Sequence, residues 1–129
     1  MAQTVSSSDA AAPVAAYSQA MRAGDFLYVS GQIPIDPVTG HLISESIHAA
    51  TNQSLANVAR ILESAGASLN HVVKASVFLI DPDDYAEMDA AYRATMPQPF
   101  PAREAVFVVG LPKGARVEIS VIAHLSPTD

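Results

Sequence analysis

Two stretches of the chain carry apolar residues at helical spacing. From residue 46 to about residue 65, the positions that fall on one face of a helix are Ile47, Thr51, Leu55, Val58, Leu62 and Ala65. Gly66 follows them as a suitable C-terminal stop. The second stretch opens with Asp81, which can accept hydrogen bonds from free amides, and Pro82, which is preset for the first helical position. We therefore predict helices over about 46–65 and 82–95.

Strands are indicated where β-branched and aromatic residues lie between turn signals. Two such runs flank Gly24-Asp25 and predict a hairpin, and further strands are expected over 71–80, 103–110 and 115–125. The predicted order is β-β-α-β-α-β-β, which belongs to the α+β class. Residues 1–14 are rich in Ala and Ser and predict a flexible tail before a single domain over 15–129.

Three of the predicted strands are apolar throughout rather than alternating. The runs are FLYV (26–29), VFLI (77–80) and AVFVV (105–109). A continuous apolar run indicates a strand buried on both faces of its sheet. Two helices can cover only one face of a sheet of four or five strands, so the other face needs a cover from outside the chain. We therefore expect a homo-oligomer in which sheets of neighbouring subunits pack together.

Composition and charge exclude several functional classes. The net charge is −6 and the seven Lys and Arg residues are scattered, which disfavours nucleic-acid binding. The absence of cysteine excludes disulfides, thiolate metal sites and cysteine nucleophiles. No apolar run is long enough to span a bilayer, and the N-terminal stretch lacks the pattern of a secretory signal. A cytoplasmic protein is expected.

Arg103 and Glu118 are the two charged residues whose positions suggest chemistry. Arg103 follows a double-proline elbow at the start of a strand, where a guanidinium can bind a carboxylate through two hydrogen bonds. Its alternative role is an ordinary salt bridge with an acidic side chain. Glu118 shares one strand face with Ser120, Ile122 and His124, so it is either a general acid or base with a shifted pKa or an exposed acid on an edge strand.

Other candidate residues are less specific. Ser30 and Gly31 end a strand, and glycine there allows a ligand to approach the backbone closely, while Tyr17 can offer its hydroxyl. The four histidines lack paired metal-ligand spacing, and neither a phosphate loop nor a dinucleotide fingerprint is present. No metal and no cofactor are predicted. The residues alone indicate an oligomeric α+β domain in which Arg103 is a candidate for binding a small anion.

Several motifs together resemble one family. The segments YSQA, VSGQIPIDPVTG, PAREAV and LPKGARVEISVIA occur in the order and spacing of the reactive-intermediate deaminases, the RidA/YjgF family. The resemblance runs from about residue 13 to residue 123. It implies a chorismate-mutase-like fold with two helices on one face of the sheet, a homotrimer, and sites in the clefts between subunits.

The resemblance also implies an activity. Family members hydrolyse enamines and imines of 2-oxo acids, such as 2-iminopropanoate and 2-iminobutanoate, to the oxo acid and ammonia without a cofactor. Arg103 matches the arginine that binds the substrate carboxylate, and Glu118 matches the acid that positions or activates water. Tyr17, Ser30 and Gly31 match positions that line the same pocket.

Three positions depart from the family pattern. Asp89 stands where many members have asparagine, and a carboxylate near the pocket would oppose an anionic substrate. Ala105 replaces a cysteine, although its backbone carbonyl can still meet the imine nitrogen, and Glu104 is expected to compete for Arg103. The substrate could therefore be another enamine, such as 2-aminomuconate or aminoacrylate. A non-catalytic carboxylate-binding or chaperone-like role and an RNA-cleaving role stay open as alternatives.

Overall fold

The computed structural model describes residues 2–125. Its regular elements are β1 (Gln3–Val5), β2 (Ala20–Ala23), β3 (Phe26–Gln32), α1 (Ile47–Ser64), β4 (Val72–Leu79), α2 (Tyr85–Thr95), β5 (Ala102–Phe107) and β6 (Val117–His124). Short 3-10 helices lie at Leu69–His71, Pro82–Asp84 and Pro112–Gly114. Neither α-helix in this part of the chain combines the length and the apolar character needed to cross a membrane.

All six strands form one mixed sheet, in the order β1-β2-β3-β6-β4-β5. Neighbouring strands are antiparallel except β4 and β5, which are parallel. The predicted hairpin is confirmed as β2 and β3, and Gly24 takes the positive φ of 59° that its turn requires. The α+β class with two helices is confirmed as well.

Both predicted helices are present, and each begins at a capping residue. Ser46 precedes α1, and its side chain accepts a hydrogen bond from the amide of Ala49. Asp81 accepts one from the amide of Asp83 at 2.9 Å, as its position predicts. The first turn after Asp81 is 3-10 in form, so α2 itself begins only at Tyr85.

The core lies between the helices and one face of the sheet. Alternate residues of β6 are fully buried there, namely Val117, Ile119, Val121 and Ala123, and the apolar face of α1 packs over them. The opposite face of the sheet is uncovered in the single chain. Phe26 and Tyr28 on that face are 39% and 47% exposed, which agrees with the prediction that the chain alone covers only one face of its sheet.

The N-terminal segment differs from the loose tail that its composition predicts. Gln3–Val5 pairs with β2 as an edge strand, and Ala10 and Ala11 are buried. The buried side chain of Gln19 fixes the segment: its oxygen accepts from the amide of Ser7 at 2.6 Å, and its nitrogen donates to the carbonyl of Ala11 at 2.8 Å. The pairing of β1 with β2 and the hydrogen bonds of the Gln19 side chain to backbone groups therefore order a stretch that has few large apolar side chains.

Candidate functional site

Arg103 lies on the edge strand β5 and faces helix α2. Its Nη1 donates to Oδ1 of Asp89 at 2.9 Å, and its Nη2 donates to the hydroxyl of Tyr85 at 2.8 Å. The guanidinium lies over the ring of Tyr92, 4.8 Å from the ring centre. These contacts hold the guanidinium in one orientation, and the side chain is only 18% exposed. They also leave N–H groups of the fork for an incoming carboxylate.

Asp89 is shared between two arginines. Its Oδ1 accepts from Arg103, and its Oδ2 accepts from Nη2 of Arg93 at 3.2 Å. The hydrogen bond from Arg103 is the largest cause that lowers the pKa of Asp89 below its ordinary value, although partial burial opposes it. We call Tyr85, Asp89, Tyr92, Arg93 and Arg103 the arginine cradle. A cavity of about 190 Å³ opens beside it, lined also by Phe100 and Pro101.

Glu104 does not compete for Arg103, and that prediction was wrong. Lys74 donates to Oε1 of Glu104 at 2.9 Å, and the hydroxyl of Ser76 donates to Oε2. Successive residues of a strand point to opposite faces, so Glu104 lies on the uncovered side of the sheet, away from the cradle. The hydrogen bond from Ser76, followed by that from Lys74, lowers the pKa of Glu104.

Glu118 lies in a second cavity, of about 280 Å³, which we call the Glu118 cavity. Its lining residues are Val14, Ala15, Tyr17, Ser30, Gly31, Ile33, Pro112 and Glu118. Four residues singled out from the sequence, Tyr17, Ser30, Gly31 and Glu118, thus come together, although their roles remain predictions. Partial burial raises the pKa of Glu118 above its ordinary value. A carboxyl of this kind can exchange a proton more readily near neutral pH than an exposed one.

Position 31 requires glycine for a steric reason that the sequence did not reveal. A β-carbon at this position would lie 2.6 Å from Oε2 of Glu118. Glycine therefore makes room for the catalytic candidate itself. Ser30 and Tyr17, which line the same cavity, already have backbone partners. The hydroxyl of Ser30 donates to the carbonyl of Ser18 at 2.6 Å, and the hydroxyl of Tyr17 accepts from the amide of Val14 at 3.3 Å.

One protomer places Arg103 and Glu118 on opposite faces of its sheet. Arg103 is paired with Ala75, which is paired on its other side with the buried Val121, so all three point toward the helices. Glu118 is paired with Phe78 and points toward the uncovered face. Ala105, two residues beyond Arg103, is partly buried against the core on the helix side. A single chain therefore cannot present both charged groups to one small molecule.

Sequence reasoning missed the aromatic part of the cradle. Tyr85, Asp89 and Tyr92 follow each other at the i, i+4, i+7 spacing of one helix face, and this signal was available in the sequence. Arg93 follows Asp89 at the i+4 spacing of a helical ion pair, so its position was readable as well, whereas Ile33 had no comparable signal. Within residues 2–125, no group of three or more His, Asp or Glu side chains is arranged to hold a metal ion.

Comparison with known proteins gives matches over nearly the whole chain. The family model described as endoribonuclease L-PSP matches residues 7–125. A RutC family protein of Pyrococcus horikoshii is 44% identical over 96% of this chain and 98% of its own length. A protein of Bos taurus named 2-iminobutanoate/2-iminopropanoate deaminase is 39% identical over 95% of this chain and 90% of its own.

Solved structures give the same result. The crystal structure of RidA from an Antarctic Psychrobacter superposes with a TM-score of 0.92, at 43% identity, and covers 95% of this chain and 99% of that one. The crystal structure of the YjgF product of E. coli gives a TM-score of 0.89 at 37% identity, over 95% and 98% of the two chains. Both the sequence and the fold therefore show that this chain belongs to the RidA/YjgF family.

Proposed function

We propose that the protein hydrolyses imines and enamines of small 2-oxo acids at sites shared between protomers of a homotrimer. The observation that carries this proposal is the placement of Arg103 and Glu118 on opposite faces of one sheet, each beside its own cavity. The arginine cradle of one protomer and the Glu118 cavity of the next supply complementary halves of a site. The uncovered apolar face of the sheet, which includes Phe26 and Tyr28, supports such packing.

The two halves divide the chemistry between them. Arg103 binds the carboxylate of the 2-imino acid and so holds the C=N carbon in a fixed position. Water adds to that carbon while Glu118 accepts its proton. Glu118 returns this proton to the nitrogen, which gives a carbinolamine. Glu118 then takes the proton of the new hydroxyl group and passes it to the nitrogen, so that the C=O bond of the 2-oxo acid forms as the C–N bond breaks and ammonia leaves. The raised pKa of Glu118 suits a group that must both accept and donate.

Relatives support this choice of substrate. Proteins of Bos taurus and Salmonella typhimurium, at 39% and 40% identity, carry the name 2-iminobutanoate/2-iminopropanoate deaminase. The family model is named after an endoribonuclease, but this chain offers few free cations to RNA. At least five of its seven Lys and Arg side chains pair with carboxylates, namely Arg60, Lys74, Arg93, Arg103 and Arg116. RNA cleavage is therefore no part of the proposal.

Mixed oligomers of two inactive variants test the shared site. Arg103→Ala removes the carboxylate clamp and Glu118→Gln removes the proton acceptor, so each variant alone should lose turnover of freshly generated 2-iminobutanoate. The two variants are given different tags, refolded together and purified through both tags. In a mixed trimer one site of three combines an intact Arg103 with an intact Glu118, so about one third of the wild-type rate should return.

The outcomes separate cleanly. If doubly tagged oligomers are as inactive as their parents, a site shared between chains is refuted. If Arg103→Ala alone works at the wild-type rate, the deaminase assignment itself fails. Size-exclusion chromatography of each variant serves as the control, because both substitutions should leave the oligomer intact.

A further inference from the structure

The charge of the arginine cradle is smaller than its two arginines suggest. Arg93 and Arg103 contribute two positive charges, and the carboxylate of Asp89 between them contributes one negative charge. Both oxygens of Asp89 are engaged, one by each guanidinium, so the acid is fixed inside the cluster rather than free to turn away. The cradle can therefore neutralise one carboxylate of a guest and has no further charge for a second.

The Glu118 cavity supplies no cation that would change this count. None of its lining residues within the described part of the chain is a lysine or an arginine, and its one carboxylic acid is Glu118 itself. Most of the remaining lining is apolar, including Val14, Ile33 and Pro112. A guest with a negative charge at each end would place its second carboxylate against apolar side chains or against Glu118, which is unfavourable in either case.

We propose that Asp89 is a specificity-determining residue that restricts the site to 2-imino acids with a single negative charge and excludes dicarboxylates. This inference rests on the proposed function and names its substrate class. Asp89 acts through Arg103 and through the charge of the cradle rather than on the reacting atoms. It therefore favours short aliphatic imines over dianionic enamines of the muconate type.

Asp89→Asn removes the charge and keeps the contact with Arg103. The asparagine oxygen can still accept the hydrogen bond of Arg103, whereas its NH₂ group cannot accept that of Arg93, whose side chain is 66% exposed and can turn to water. The probes are 2-oxoglutarate and its 5-methyl ester, which have the same carbon chain and differ in one charge. Competitive inhibition constants for both are measured against turnover of 2-iminobutanoate. We expect the wild type to prefer the ester, and Asp89→Asn to shift the ratio of constants by about tenfold toward the dianion.

Three further measurements separate charge from structure. The shift should shrink as salt is raised, because screening weakens interactions between charges. Asp89→Glu keeps the charge and should keep the preference for the ester. Glu87→Gln removes one charge from the same helix at an exposed position paired only loosely with His48, and should leave the ratio at its wild-type value.

The results distinguish the two proposals. If the wild type hydrolyses imines but the ratio is unchanged in Asp89→Asn, or if Glu87→Gln shifts it equally, the role of Asp89 is refuted while the proposed function stands. If the wild type neither binds these 2-oxo acids nor hydrolyses any imine, the proposed function fails and this inference fails with it.

Discussion

A single methyl group added at Gly31 should uncouple activity from stability. The β-carbon of an alanine would lie 2.6 Å from Oε2, 2.7 Å from Cδ and 2.9 Å from Cγ of Glu118. Gly31 is not among the glycines with positive φ, so the backbone itself accepts alanine without strain. The three nearest atoms all belong to the side chain of Glu118, and the substitution is therefore a direct probe of where its carboxylate has to be.

The size of the effect follows from these distances. Ordinary contact begins at about 3.4 Å, so Oε2 must retreat by about 0.8 Å. Because the side chain of Glu118 is flexible and can move away, the free energy of unfolding should change by less than about 1 kcal/mol. Alanine also lowers the conformational entropy of the unfolded chain, which partly offsets the loss. Misplacing a catalytic group by about 1 Å can lower the rate by about a hundredfold. We expect kcat of Gly31→Ala to fall by about ten- to a hundredfold.

The measurement combines initial rates of imine hydrolysis with urea unfolding of the same preparations. Gly110→Ala is the matched control, because Gly110 also lacks a positive φ and a β-carbon there meets nothing within 4 Å. The control should match the wild type in both assays. A Gly31→Ala variant with wild-type turnover would show that the position of Glu118 against Gly31 is irrelevant to the reaction.

Two further predictions concern stability. Because burial raises the pKa of Glu118 above 4.5, its contribution to stability is fully present below that pH and is lost as pH rises through the folded-state pKa. Glu118→Gln should thus be more stable than the wild type at neutral pH, and urea unfolding at several pH values should show the difference fading below about pH 4.5. Asn57→Ala removes the buried donor to the carbonyl of Ile35 at 2.9 Å and should lower the free energy of unfolding by about 1–3 kcal/mol. The exposed Asn52→Ala, on the same helix, should change it little, and equal losses in the two variants would contradict this reasoning.

The elements that sequence predicted well are those with local signals. The apolar period of α1, the Gly24-Asp25 turn and the cap at Asp81 depend on residues a few positions apart, and the structure confirms each of them. The alternation of β6 was also predicted correctly, so the sequence placed Glu118 on the strand face opposite to that of the buried Ile119 and Val121.

Predictions that depend on distant partners were weaker. Ala11, in the predicted tail, is held in place by a hydrogen bond from the side chain of Gln19. Neither the composition nor the periodicity of residues 1–14 reveals that bond. The partner of Glu104 is Lys74 rather than the adjacent Arg103, because β4 lies parallel to β5 at a register that no local pattern specifies. Continuous apolar runs predicted that both sheet faces are buried, but they do not say which molecule covers the second face.

The register of β5 against β4 determines how the site is built. A slip of one residue would turn Arg103 from the helix side to the uncovered side, the side of Glu118. The contacts of Arg103 with Tyr85, Asp89 and Tyr92 oppose such a slip, because it would withdraw the guanidinium from both hydrogen bonds and from the aromatic ring. The contacts that orient Arg103 therefore also keep it away from Glu118 within one chain. A site that needs both groups has to be completed by a second copy.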